Sequence, residues 1–263
     1  AKAGYISAVG DDMFGDAMRD LWRREGVDDT GVATRPGDPT GVCFIDPDPK
    51  GRRFTYARRG SAASLIGPDD IPEDLIAHAR VLHLSGITLG VSQSMRQAAL
   101  HAVQLARAND TLVSLDINFR PRLWSLELAR TVLNEVAQNA DIIFPSDDEA
   151  ETLLGLTDPD AIADHYLSTG AKIVAVKRGE QGSMIATPSD RFTVPAAPSN
   201  PVDSAGAGDS FAGAFLAYWS ETDDIQRAAH RAARVAAGTV SGLGAVEPIP
   251  FRADILTSET SSG

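Results

Sequence analysis

The chain has 263 residues, 43% of them hydrophobic, and a formal net charge of −12. That apolar content can bury one sizeable core, and so acidic a balance argues against nucleic acid and anionic membranes as partners, because both select a basic face. A single cysteine, Cys43, excludes an internal disulfide framework and suits a reducing cytosol, and no apolar run nears the roughly 18 residues that cross a bilayer.

One domain is expected. The chain opens on Ala1-Lys2-Ala3 without a methionine, and no signal peptide is legible there, so a first segment is expected to be missing. Tyr5 to Val9 reads as a short strand. Asp11 or Asp12 then caps a helix in which Met13, Ala17, Leu21 and Trp22 recur at spacings of three and four. Thr40 to Ile45 and Arg53 to Arg58 are β-rich, and Asp46-Pro47-Asp48-Pro49-Lys50-Gly51 between them is a dense turn signal, which predicts a projecting hairpin. From Ile71 onward helix and strand alternate: helices over 71–79, 91–108, 126–138 and 159–169, strands over 81–86, 112–116, 141–144 and 172–176. Short apolar strands separated by amphipathic helices mean a parallel sheet covered on both faces, with ligands beyond the carboxyl ends of the strands. A second hairpin is expected through Pro188-Ser189-Asp190, and an alanine-rich helix over 224–240. His83, inside an apolar strand, reads as a core histidine, and the other four histidines show no metal-ligand spacing.

The chemistry gathers in Asp203-Ser204-Ala205-Gly206-Ala207-Gly208-Asp209, which runs straight into an apolar, alanine-rich helix. Glycine at 206 and 208 lets backbone approach an anion closely, and the first free N–H groups of the helix add roughly half a positive charge. Asp209 on the first turn would suit simple capping. Beside anion donors, a carboxylate is also what phosphoryl transfer to an alcohol requires. Two further sites draw on the same logic. Asp116-Ile117-Asn118-Phe119-Arg120 stands at a strand end, where alternation puts Asp116, Asn118 and Arg120 on one side while the chain is extended. The adjacent Arg58 and Arg59 are either an ordinary solvated pair or a bidentate clamp for a carboxylate. Ser146 and Glu149 form a capping-box pattern.

The segment from Asp203 to Asp209 resembles the Asp-Thr-x-Gly-Ala-Gly-Asp signature of the ribokinase/PfkB family of sugar kinases, with Ser204 keeping the hydroxyl of the usual Thr. Gly10-Asp11-Asp12-Met13-Phe14-Gly15 is similar to the early Gly-x-Asp-x-Phe-Gly of that family. Its 2-keto-3-deoxygluconate kinases carry Tyr-Tyr-Arg-x-Gly-Ser-Ala, similar to Tyr56 to Ala62 here, and Asp-x-Asn-x-Arg-x-x-Leu-Trp, matched by Asp116 to Trp124. The family's first strand and its glycine-rich sugar-contacting segment have no counterpart, a gap on the order of 30 residues.

The resemblance implies an α/β fold, a ribokinase-like three-layer αβα sandwich with a mostly parallel sheet, as a single domain over 1–263 with a β lid at about 38–60. It implies phosphorylation of a sugar acid, most closely 2-keto-3-deoxygluconate to its 6-phosphate, by ATP with Mg2+, with K+ as a further ion that relatives often hold near Ser241 to Ala245. Asp209 would be the base, and the amides of Gly206, Ala207 and Gly208 the anion hole. Tyr56, Arg58 and Arg120, with Asp209, would hold the sugar acid. Asn118, Arg120, Lys177, Gly179, Gly182, Gly206 and Gly208 would flank ATP, and Glu149 would order metal-bound water. A cytoplasmic homodimer pairing through the lid strands is implied too. A kinase of neutral sugars, as in ribokinase or fructokinase, and a non-catalytic sugar-binding remnant are the alternatives; a nicotinamide dehydrogenase lacks its Gly-x-Gly-x-x-Gly opening.

Overall fold

The computed structural model describes residues 1–46 and 53–260, so the turn expected over 46–51 lies, past Asp46, outside the described residues. The chain divides into two compact units, one of Lys2–Val113 with Phe119–Asn139, the other of Ser114–Asn118 with the chain from Ala140 on and Ala1.

In the first unit, β1 (Ser7–Gly10) runs parallel to β2 (Val32–Arg35), with Ser7 opposite Val32. β2 carries only one buried side chain, Val32, which is why no alternation announces it. The intervening α1 (Met13–Arg24) is capped by Asp12, whose carboxylate accepts from the N–H groups of Phe14 at 3.1 Å, Gly15 at 2.9 Å and Thr40 at 2.7 Å. These bonds, led by those of Thr40 and Gly15, hold its carboxyl below the usual carboxylate range. β3 (Val42–Asp46) and β4 (Arg53–Ala57) form the expected antiparallel hairpin, Val42 opposite Ala57.

α2 (Glu73–Ala77) is shorter than the pattern suggests, because Pro72 takes the N-cap position. After β5 (Val81–Ser85) comes a short helix the sequence did not announce, α3 (Gly86–Gly90), and then the expected one, α4 (Gln93–Ala108), which starts past 91 because the Ser92 hydroxyl accepts from the Met95 N–H at 3.0 Å and caps it. β6 (Leu112–Asp116) begins beside β5, and α5 (Leu126–Ala137) completes the unit. His83 is exposed rather than core: β5 is the end strand of its sheet, and only Leu84 of that strand is buried.

In the second unit the end of β6 runs parallel to β7 (Ile142–Phe144), and β7 to β8 (Ile173–Lys177), with Ser114 opposite Ile142 and Ile142 opposite Ile173. β9 (Ser183–Ala186) and β10 (Arg191–Val194) add antiparallel strands, the second hairpin. The carboxyl ends of the three parallel strands therefore gather Asp116, Phe144 and Lys177 at one sheet edge. The helices are α6 (Asp147–Leu154), α7 (Pro159–Ser168), α8 (Ala207–Thr222), α9 (Ile225–Val240) and α10 (Arg252–Thr260).

The second unit's core seats α8 on the sheet. Phe144 of β7 meets Phe215 edge-on with ring centroids 5.5 Å apart and Phe211 at 6.4 Å, while Ala228, Ala229 and Ala232 of α9 pack into the same core. Phe211 and Phe215 lie one turn apart on α8, so these contacts fix where its first turn points. Phe215→Ala should cost about 3–5 kcal/mol through the cavity it leaves. Urea denaturation reads that loss, and a loss under 1 kcal/mol would show that the helix is seated by other contacts.

Candidate active site

α8 begins at a glycine for steric reasons. Gly206 has φ +75°, and a Cβ there would lie 2.9 Å from both the Cβ and the carbonyl oxygen of Ala245. Asp203 braces the same turn from within: its Oδ1 accepts from the Ala205 N–H at 2.8 Å and its Oδ2 from the Gly244 N–H at 3.0 Å. No side chain caps the helix. The Ala207 N–H reaches Ser204 O only at 3.4 Å, the Ser210 N–H reaches Gly206 O at 2.8 Å, and between them the N–H groups of Gly208 and Asp209 meet no acceptor among the described residues. Two unspent donors at the positive end of a sixteen-residue helix are the chemistry that receives an anion.

A cation stands beside it. The Lys177 Nζ donates to Asp116 Oδ1 at 2.6 Å, with the Lys177 side chain 16% exposed and that of Asp116 1%. A Cβ on Gly208 would lie 3.4 Å from that ammonium, so Lys177 borders the first turn of α8. A positive charge at a helix N-terminus needs an opposite charge, and Asp116 supplies it.

Asn118 ties the strand end to the carboxylate. The Ile117 N–H donates to Phe144 O at 3.2 Å, extending the ladder by one residue, and Asn118 then turns to φ +35°. Its Nδ2 donates to Asp209 Oδ1 at 3.2 Å, and the rest of Asp209 is exposed. The left-handed turn breaks the expected alternation. Asp116 and Asn118 are buried, whereas Arg120 lies past the turn, exposed, donating to its own neighbour's carbonyl, Phe119 O, at 2.9 Å. Trp124 anchors the loop, with Gly90 tight against its indole and the Arg96 guanidinium 5.7 Å above the ring.

On the hairpin, Tyr56 stands opposite Cys43, and the Arg58 guanidinium lies 5.8 Å from the Tyr56 ring centroid. Burial pushes the Cys43 thiol up, and the Arg58 charge opposes that shift. Glu149 completes the capping box with Ser146: the Ser146 N–H donates to Glu149 Oε2 at 3.1 Å and the Glu149 N–H to Ser146 Oγ at 3.3 Å. Burial first, and the Glu149 charge second, push the Tyr166 phenol far up. The two turn glycines part company. A Cβ at Gly182 would lie 2.1 Å from Val194 O, which makes that glycine a packing requirement, while Gly179 at φ +54° faces open space.

Among the described residues no group of three or more His, Cys, Asp and Glu is placed to hold a metal, and no helix is long and apolar enough to cross a membrane. Sequence reasoning missed two pairings, Asp116 with Lys177 and Asn118 with Asp209. They join positions 61 and 91 residues apart, and no local spacing signals them.

Comparison with known proteins bears on this geometry. The profile of the pfkB family carbohydrate kinases matches residues 1–252. The chain is 34% identical over 256 residues to 2-dehydro-3-deoxygluconokinase of Thermoproteus tenax, covering 95% of this chain and 77% of that one. It is 31% identical over 265 residues to fructokinase-1 of Oryza sativa subsp. japonica, covering 97% and 81%. A crystal structure from E. coli, provisionally called Ribokinase II and in complex with ATP and Mg2+, superposes with a TM-score of 0.92 at 30% identity, covering 99% of this chain and 84% of that one.

Gly206→Ala should cost about 1–3 kcal/mol, since alanine at that φ is strained and its methyl meets Ala245. Chemical denaturation measures it; an unchanged midpoint would mean that the turn has another conformation open to it.

Proposed function

The chain belongs to the pfkB family of carbohydrate kinases, and we propose that its acceptor is a 2-keto-3-deoxy sugar acid, phosphorylated at the 6-hydroxyl by ATP. The observation that carries the reading is the pair of unspent N–H groups at Gly208 and Asp209, beside a carboxylate with one oxygen engaged.

Asp209 accepts the proton of the attacking hydroxyl through the oxygen that Asn118 leaves free. The unspent amides of Gly208 and Asp209, with those of Gly206 and Ala207 beside them, and the Lys177 ammonium receive the charge that builds on the migrating phosphoryl group. Positioning and electrostatics dominate, because the transition state is loose and little covalent chemistry is left to the protein. Arg120, Lys177, Gly179 and Gly182 form the nucleotide side, Gly182 by shaping the turn rather than by touching; Asn118, which the resemblance puts with them, spends its amide donor on Asp209. Mg2+ would supply positive charge to the nucleotide phosphates. Glu149 is the residue that would help hold it, through water.

Arg58 supports the choice of a sugar acid over a neutral sugar: it sits beside Tyr56 on the hairpin with no carboxylate partner among the described residues, ready for a bidentate contact. Tyr56 and Arg120 complete the acceptor side. The hairpin over about 38–60 serves as a lid on a single kinase domain, and Phe44 and Ile45, exposed on β3, suit pairing with a second copy of the chain. The working compartment is the cytosol, in line with the acidic, cysteine-poor composition. The fructokinase relative favours a second reading, a neutral ketohexose as acceptor.

A coupled ADP-release assay across 2-keto-3-deoxy sugar acids, fructose and ribose decides between them. The expected result is the highest kcat/KM on a keto acid, with Arg58→Ala raising its KM at least tenfold, about the worth of one charge-assisted contact. A preference for fructose, or an Arg58→Ala variant with unchanged KM, would reverse the assignment. Asp209→Asn should lower kcat by about 10²- to 10⁴-fold with ATP still bound.

A further inference from the structure

We propose that Asn118 is a positioning residue for Asp209: it occupies one carboxylate oxygen so that the other is aimed at the acceptor hydroxyl. The proposal rests on Asp209 being the proton acceptor.

The amide has one useful orientation. Its Nδ2 donates to Asp209 Oδ1 at 3.2 Å, while its own Oδ1 is buried with no partner in reach. Flipping the amide would set the carbonyl oxygen against the carboxylate, acceptor facing acceptor, and would lose the one bond the side chain makes. The residue is 5% exposed, so water cannot take over the donor's work. Its base is equally fixed. The residue before it is pinned by the Ile117 N–H donating to Phe144 O at 3.2 Å, and two residues back Asp116 is held by Lys177. The left-handed φ of +35° costs energy for any residue with a side chain, and asparagine is among those that tolerate it best. That conformation turns the side chain towards α8 instead of continuing the strand.

Asp209 alone has no such restraint. It is exposed on the first turn of α8, where a free carboxylate would sample several rotamers, and Asn118 makes the hydrogen bond that selects one. A bond donated to the charged carboxylate also lets a single oxygen, Oδ2, face the reacting hydroxyl, the arrangement a general base needs. The strand end Asp116-Ile117-Asn118 thereby places two working groups at once, the Lys177 ammonium and the Asp209 carboxylate.

Four variants test it, with kcat and both KM values from ADP release and stability from thermal melts. Asn118→Asp keeps the shape and tolerates the backbone conformation but has no donor; Asn118→Gly accepts the backbone conformation and has no side chain. Both should lose about 10- to 100-fold in kcat, the worth of a hydrogen bond to a charged group, with KM for ATP within about threefold of wild type. Wild-type turnover in Asn118→Gly would reduce the residue to a backbone role. A raised KM for ATP at unchanged kcat would make it a nucleotide ligand. Either result overturns the proposal. The double variant Asn118→Asp/Asp209→Asn restores an amide–carboxylate pair with the partners exchanged. It should recover melting temperature relative to Asn118→Asp yet stay at or below the turnover of Asp209→Asn alone, whereas full turnover would show that the pair is only a structural clasp. Asp209→Asn by itself separates the two ideas: near-normal turnover there removes the base, while its loss alongside active Asn118 variants removes only the positioning.

Discussion

The mouth of α8 is open because a glycine holds it open. A helix that begins on a side-chain cap spends its first donors on that cap; this one begins on Gly206 in a left-handed turn, pressed so close to Ala245 that no larger residue fits, and its next amides are left over. Asp203 keeps the turn from relaxing by accepting from Ala205 on one side and Gly244 on the other. The seat of the helix depends in turn on Phe211 and Phe215 against Phe144, so the apolar core sets the direction in which those amides point.

Charge is distributed with the same economy. The chain carries a net charge of −12, yet the anion site has a helix terminus and Lys177 within one turn of each other. Two positive features at that separation would repel, and the buried carboxylate of Asp116 offsets them. Asp116 and Asn118, two residues apart, send their side chains to different partners on β8 and α8. One strand end thus sets the spacing between the cation and the carboxylate. Rigid elements carry both groups, and loops carry neither.

Much of this was legible in the residues. The parallel strands, the hairpins and the helix opening at Gly206 follow from apolar runs, turn residues and glycine, all local signals. Asp12, Ser92 and Ser146 act as the caps their side chains suit, although Ser92 moved a helix start that periodicity alone placed earlier. What was hidden depends on distant partners. β2 has too little buried face to alternate, and His83 looks like core only until β5 proves to be the end strand. Asn118 shows the limit most clearly: extended alternation put it on a line with Arg120, and a single left-handed φ sent it to Asp209 instead. Asp203, the acid that opens the same segment, is a brace.

The central claim is that the first amides of α8 receive the transferred phosphoryl group. The most direct measurement is a titration of ¹⁵N-labelled protein with a non-hydrolysable ATP analogue and Mg2+, followed at the amide resonances of Ala207, Gly208 and Asp209. The account predicts large, saturable shifts at Gly208 and Asp209 that track occupancy of the nucleotide. Nucleotide binding with those two resonances unmoved would contradict it.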